Sequence, residues 1–146
     1  MTPMRKEDLV GAWREIGREF VSGDGTVRAD VQRTSQIMYT PDGFMGVVNT
    51  PAARKRVSRT SPNMNLDNVS AEERAEAALG VVAYTGSYAI DGDVVRHTLY
   101  SALHPNLPGT TQLRRATLDG DNLTLASLPA EDGSYFQIRW RRAGKM

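Results

Sequence analysis

At 146 residues the chain has room for one domain, 1–146, with a sizeable hydrophobic core. Its formal charge of +1, from 18 Lys and Arg against 17 Asp and Glu, supplies no strong field, so neither nucleic acid nor an anionic membrane is implied as a partner. No apolar run approaches the roughly 20 residues of a membrane span, and the absence of cysteine excludes disulfides, thiol catalysis and cysteine-ligated metals.

The first residues combine Arg5 and Lys6 with Glu7 and Asp8 and show no signal-peptide pattern, so the expected location is cytoplasmic. Residues 11–22 read as a long strand. Trp13, Glu15, Gly17, Glu19 and Val21 take one side, and Ala12, Arg14, Ile16, Arg18 and Phe20 the other. Neither side is cleanly apolar, so the pattern leaves the orientation open. Asp24 and Gly25 mark a hairpin turn, a weaker strand spans 26–33, and a clear strand at 36–40 turns through Pro41, Asp42 and Gly43 into a return strand at 44–49.

Residues 50–69 lack periodicity and carry Arg54, Lys55, Arg56 and Arg59 without interleaved aromatic residues, a composition that argues against single-stranded nucleic acid. A segment of this length is either a solvated loop or a flap over a cavity mouth, with Met64 and Leu66 as its apolar contacts. A helix follows over about 70–82. Ser70 and Glu73 have capping-box spacing, acidic residues gather near the positive end of the dipole, and Ala75, Ala78, Leu79 and Val82 form a narrow stripe expected to meet the core.

Beyond residue 83 the period is two. Strands at 83–90, 94–103, 111–118, 122–128 and 134–142 are separated by Asp91-Gly92, a proline-containing connection at 104–109, Asp119-Gly120 and Asp132-Gly133. Connections this short make neighbouring strands antiparallel. The chain is therefore mainly β, with eight or more strands in up-and-down order and one inserted helix, and closing into a barrel is the simplest way for such a meander to avoid exposed edges.

Two of these strands carry the chemistry. Val95, His97, Leu99 and Ser101 share one face, and Gln112, Arg114, Ala116 and Leu118 share another that points inward if Ala116 and Leu118 do. A solid core excludes unpaired polar groups, whereas a ligand cavity accommodates His97, Ser101, Gln112 and Arg114.

Several stretches also carry a resemblance. Leu9-Val10-Gly11-Ala12-Trp13 resembles the lipocalin first strand with its Gly, any residue, Trp. Tyr39-Thr40-Pro41-Asp42-Gly43-Phe44-Met45 is similar to a hairpin of the microbial lipocalin-like domain family. Tyr84-Thr85-Gly86-Ser87-Tyr88, His97, Pro105, Asn106, Gly109, Gln112, Arg114, Arg115 and the Leu118 to Leu125 turn look like the rest of that pattern in order. The resemblance implies a lipocalin-like β-barrel with a cavity for a small, largely apolar molecule, and a basic residue of the last strand, Arg139 or Arg141, covering Trp13. Barrels of this kind in microbial secondary metabolism serve as carriers and as cofactor-free cyclases or isomerases, so the fold leaves the function open. The chain departs from the family at Glu15, where an apolar residue is usual. If Trp13 faces inward, Glu15 brings a carboxylate into the barrel to pair with Arg114, orient His97 or carry a proton; a bulge would instead turn it out.

The candidate ligand-binding residues are Tyr39, Tyr88, His97, Leu99, Gln112 and Arg114, with Arg114 suited to an anionic oxygen and the others to apolar contact or hydrogen bonding. Glu15, His97 and Arg114 are the catalytic candidates if the protein is an enzyme. His97 and His104 are the only histidines, and no HExxH, GxSxG, phosphate loop or dinucleotide fingerprint is present, so neither a metal nor a cofactor is expected. Three readings follow: a binding module for a small hydrophobic metabolite with a polar or anionic group, a cofactor-free isomerase or cyclase acting on a polyketide-like or terpenoid-like substrate, and a filled barrel that meets a protein partner. A homo-oligomer is compatible with each.

Overall fold

Period-two alternation and a regular supply of tight turns carry the chain around a single closed sheet. The computed structural model describes residues 4–144. A one-turn helix α1 (Lys6–Leu9) leads into β1 (Gly11–Val21), β2 (Val27–Ala29), β3 (Arg33–Tyr39) and β4 (Phe44–Pro51). The helix α2 (Ala71–Ala78) precedes β5 (Val82–Asp91), β6 (Val94–Ala102), β7 (Thr111–Asp119), β8 (Asn122–Ser127) and β9 (Tyr135–Arg142). All pairings are antiparallel, and β9 pairs back onto β1, so β1 and β3 to β9 form an eight-stranded barrel. The short β2 is the additional strand. It pairs with Glu19 to Val21 at the end of β1, while β3 pairs with Gly11 to Arg14 at the start of the same strand.

The barrel is sealed at the end that holds α1. There Leu9, Trp13, Tyr39, Met45, Tyr88, Val95 and Leu123 pack as buried core, and the Trp13 indole donates to the Leu9 carbonyl at 2.9 Å. Arg142 lies over the Trp13 ring with its guanidinium carbon 4.1 Å from the centroid, and donates to the Val10 and Asp8 carbonyls at 2.8 and 3.0 Å. The basic residue covering Trp13 is therefore neither Arg139 nor Arg141. Trp140 points inward, so its two neighbours point out, Arg139 to Glu19 and Arg141 toward Asn122, and Arg142 keeps the inward parity.

Two bulges reset which residues face inward. Glu15 pairs with Trp140 and Gly17 with Arg139, so β1 carries an extra residue between them. Trp13 and Glu15 face in, and beyond the bulge the inward parity passes to Arg18 and Phe20, opposite Ile138 and Phe136. This is why neither face of β1 reads as apolar along its whole length. In β6 the extra residue is Tyr100, 84% exposed. Ser101 pairs with the outward Thr85 and leaves the inner face, contrary to the strict alternation expected for it. Gly86 makes this bulge feasible, since a Cβ there would lie 2.0 Å from the Thr98 carbonyl oxygen.

The segment between β4 and β5 departs from expectation in two respects. The helix ends at Ala78 rather than near 82, Val82 belongs to β5, no residue of α2 is buried and Leu79 is 75% exposed, so the expected stripe of Ala75, Ala78, Leu79 and Val82 does not form a core-facing helix surface. Polar bonds hold the helix instead: Glu73 caps α2 with Ser70 and accepts from the Ser58 amide and hydroxyl at 2.8 and 2.9 Å, while Arg54 donates to the Ala77 carbonyl. Met64 is 88% exposed, and neither it nor half-buried Leu66 lines the cavity described below. Ser61 and Val69 are the buried residues of this loop.

Candidate functional site

Above the sealed half, toward the end bearing α2 and the 103–110 connection, the barrel encloses a cavity of about 190 Å³. Ile37, Val47, Leu125 and Ile138 form its apolar wall, with Val82 and Phe136 also lining it. The polar lining is Arg18, Arg33, Asn49, Tyr84, His97, Arg114 and Trp140.

His97 is 1% exposed and held on both ring nitrogens. The Tyr39 hydroxyl lies 2.8 Å from Nε2 and the Tyr84 hydroxyl 3.0 Å from Nδ1. A neutral imidazole has one N–H and one bare nitrogen, so one tyrosine donates to the ring and the other accepts from it. Burial, reinforced by the Arg114 charge, pushes the His97 pKa down to about 3. The ring is therefore neutral at physiological pH. Burial likewise raises both phenols, Tyr39 well above the usual tyrosine value, so this three-residue chain carries no charge.

Arg114 supplies the charge. Its guanidinium carbon is 5.2 Å from the Phe136 ring centroid, and Nη1 donates to the Leu113 carbonyl at 2.8 Å. No carboxylate among the described residues comes within ion-pair distance of it. Its field reaches inward, acting to lower the His97, Tyr84 and Tyr39 values alike.

Glu15 is inside the barrel and already committed. Its fully buried carboxylate accepts from Arg18 Nε and Nη2 at 2.9 and 2.6 Å and from the Arg33 amide at 3.0 Å. That third bond bridges the gap where β1 has parted from β3. The carboxylate thus partners neither Arg114 nor His97, although the sequence admitted both. Arg33 reaches the Gly80 carbonyl with its side chain, tying the cavity mouth to the end of the α2 segment.

Of the six expected ligand-binding residues, His97 and Arg114 line the cavity. Tyr39 lies beneath His97, its ring edge-on to Tyr88 at 4.8 Å. Tyr88 belongs to the sealed end, where its hydroxyl donates to the Thr40 carbonyl at 2.7 Å and Lys6 sits 5.4 Å from its ring centroid. Leu99 is buried in the β6 wall outside the cavity lining, and half-buried Gln112 makes only a 3.4 Å contact to Thr110. Sequence reasoning did not single out Arg18, Arg33, Asn49, Tyr84, Phe136 or Trp140 as lining groups. For Arg18 the signal was present in Gly17, an isolated glycine inside a strand pattern and a marker of bulges. His104 accepts from the Asn106 amide in its turn, and among the described residues no three His, Asp or Glu side chains gather as a metal site.

The sequence matches the lipocalin-like domain family over residues 10–143. The chain belongs to that family. The match covers the whole barrel of this lipocalin-like domain, from the approach to β1 through the end of β9. Among solved structures, a lipocalin-like protein from Bacteroides uniformis is similar at 15% identity, covering 93% of this chain and 99% of that one, with a TM-score of 0.47. An uncharacterized protein from Bacteroides eggerthii is similar at 15% identity, covering 92% and 99% of the two chains, with a TM-score of 0.46. No curated protein matches the sequence.

Proposed function

We propose that this lipocalin-like domain binds a small, largely hydrophobic molecule bearing an anionic group inside the barrel. The observation that carries the reading is Arg114, a guanidinium that lines the chamber together with its apolar wall and, unlike Arg18, has no carboxylate partner among the described residues. Half-buried at the chamber wall, this charge is left for an anion to complete, and the planar fork suits a carboxylate or enolate. Ile37, Val47, Leu125 and Ile138 supply the apolar contact. The domain is read as cytoplasmic, with a small molecule rather than nucleic acid or membrane as its partner. Among the described residues no helix is long and apolar enough to cross a membrane.

A cofactor-free isomerase or cyclase using the same cavity is the second reading, favoured by the Tyr84 hydroxyl on the cavity wall and its bond to His97. Three observations weigh against it. His97, with a pKa of about 3 and both nitrogens engaged, is a poor base at neutral pH. Glu15 is occupied by Arg18 and the Arg33 amide. A chamber of about 190 Å³ is also small for a folded polyketide or terpenoid, given that drug-sized sites begin near roughly 300 Å³.

Native mass spectrometry of the protein as purified, followed by denaturing extraction, tests the reading and gives the oligomeric state in the same spectra. A small acid retained by the wild type and lost in Arg114→Leu is the expected result. Equal retention of a neutral molecule by both proteins would remove Arg114 from the site.

A further inference from the structure

Two residues of the cavity wall each carry a buried polar atom that has no partner within the protein. Asn49 Oδ1 and Trp140 Nε1 are buried, and neither makes a hydrogen bond. Both residues line the chamber that holds Arg114. The other polar groups there are engaged: the Arg18 guanidinium with Glu15, the Tyr84 hydroxyl with His97 and the Arg33 side chain with the Gly80 carbonyl. Native proteins leave few such atoms, and each one calls for an explanation. An apolar side chain at 49 and a phenyl ring at 140 would fill these wall positions without stranding a donor or an acceptor.

We infer that Asn49 and Trp140 determine specificity, and that the ligand is a hydroxylated aryl carboxylate of single-ring size, its hydroxyl donating to Asn49 or accepting from Trp140 while Arg114 holds the carboxylate. This rests on the binding reading above. The size follows from the chamber, since about 190 Å³ is a little more than the roughly 150 Å³ apolar cavity that admits a benzene. Phe136, with Arg114 over its ring, offers a flat aromatic face beside the cation. The hydroxyl follows from the two unengaged atoms, because it is the smallest group able to donate to one and accept from the other. A ring without it leaves both atoms unpartnered, whereas the hydroxyl supplies a partner, and that difference is the source of discrimination.

The test titrates the intact protein with benzoate, meta-hydroxybenzoate, para-hydroxybenzoate and phenol, followed by calorimetry and by tryptophan fluorescence. Trp140 lines the cavity, and Trp13 is buried at the sealed end. The expected result is that one hydroxybenzoate binds about tenfold or more tighter than benzoate, the equivalent of one good hydrogen bond. Asn49→Leu or Trp140→Phe should bring that ratio to within about twofold. Thermal melting of each free variant checks folding, and with two variants at separate strands, β4 and β9, either one alone gives the readout. Equal affinity for benzoate and both hydroxybenzoates would overturn the inference; if Arg114→Leu still abolished benzoate binding, the anion-binding reading would stand. A tenfold preference that survived in both variants would overturn the assignment to Asn49 and Trp140. Failure of all four probes to bind at millimolar concentration would overturn the inference and the reading beneath it together.

Discussion

Replacing Glu15 by Ala should be among the most damaging single changes available in this barrel. Its carboxylate has no exposed surface and accepts three charge-assisted or backbone bonds, two from Arg18, itself only 12% exposed, and one from the Arg33 amide. Removing one member of a buried ion pair strands the other, at a cost of about 3–5 kcal/mol. The Arg33 amide adds about 1 kcal/mol as an unmet donor at the gap between β1 and β3. For a chain of this length a loss of that size lowers the melting temperature by roughly 10 °C or more. Urea denaturation of wild type, Glu15→Ala, Arg18→Met and the Glu15→Leu/Arg18→Met pair measures the terms separately. Since apolar replacement of both partners is often close to neutral, the double variant should recover most of the loss, to within about 1–2 kcal/mol of wild type. A Glu15→Ala loss below about 1 kcal/mol would refute the reasoning, because it would mean that water reaches Arg18 and the pair is effectively at the surface.

His97 gives a pH signature. Its folded value of about 3 lies below its unfolded value of 6.5, so the unfolded chain binds the extra proton between those limits. The stabilising contribution of the neutral ring is fully present above pH 6.5 and is lost as pH falls from there toward 3, by about 1.4 kcal/mol per unit. Denaturation at pH 7 and pH 5 should differ by about 2 kcal/mol from this group, and His97→Gln should flatten that slope; an unchanged slope, or an imidazole titrating near 6.5 by NMR, would contradict the burial argument. At the sealed end, Arg142→Ala removes the contact with Trp13 and two bonds to carbonyls. Because the side chain is one-third exposed, the expected cost is discounted to about 2 kcal/mol, read by thermal melting and by near-ultraviolet dichroism of Trp13. Arg142→Lys should restore less than half of it, since an ammonium cannot stack flat on the indole while reaching both carbonyls.

The barrel was legible because its signals are local. Asp-Gly pairs set the turns, strict alternation ran through β6 as far as Leu99 and through β7, and a long meander has few ways to hide its edges. The inward placement of Glu15 was one of two readings that parity with Trp13 left open, because neither face of β1 is cleanly apolar. What stayed hidden depended on the point at which parity changes. Past the bulge in β1, Arg18 turns inward and becomes the partner of Glu15, and past Tyr100, Ser101 turns out. Polarity misled at α2, whose alanines and Leu79 suggested a core-facing stripe, whereas Glu73 and Arg54 hold the segment by hydrogen bonds that no periodicity encodes. Trp140 was hidden for a different reason, because a buried tryptophan in a last strand reads as core whether or not its N–H has a partner.

The two halves of the barrel resolve their polar groups differently, and the proposed binding site rests on that difference. In the sealed half the Trp13 indole, the Tyr88 hydroxyl and the inward-turned Arg142 guanidinium each end on a backbone carbonyl. His97 marks the boundary, meeting one tyrosine below and one on the cavity wall. Above it, Arg114 faces the chamber without a carboxylate, and Asn49 and Trp140 each keep an atom unused. Leaving the two buried neutral atoms unmatched lowers stability by about 1–3 kcal/mol each. Shape alone would not require this, since Leu, Phe and Met could fill the same volume with no polar atom to satisfy. A filled barrel would therefore have no need of these three groups, which is the argument for the proposed ligand with its anion and hydroxyl.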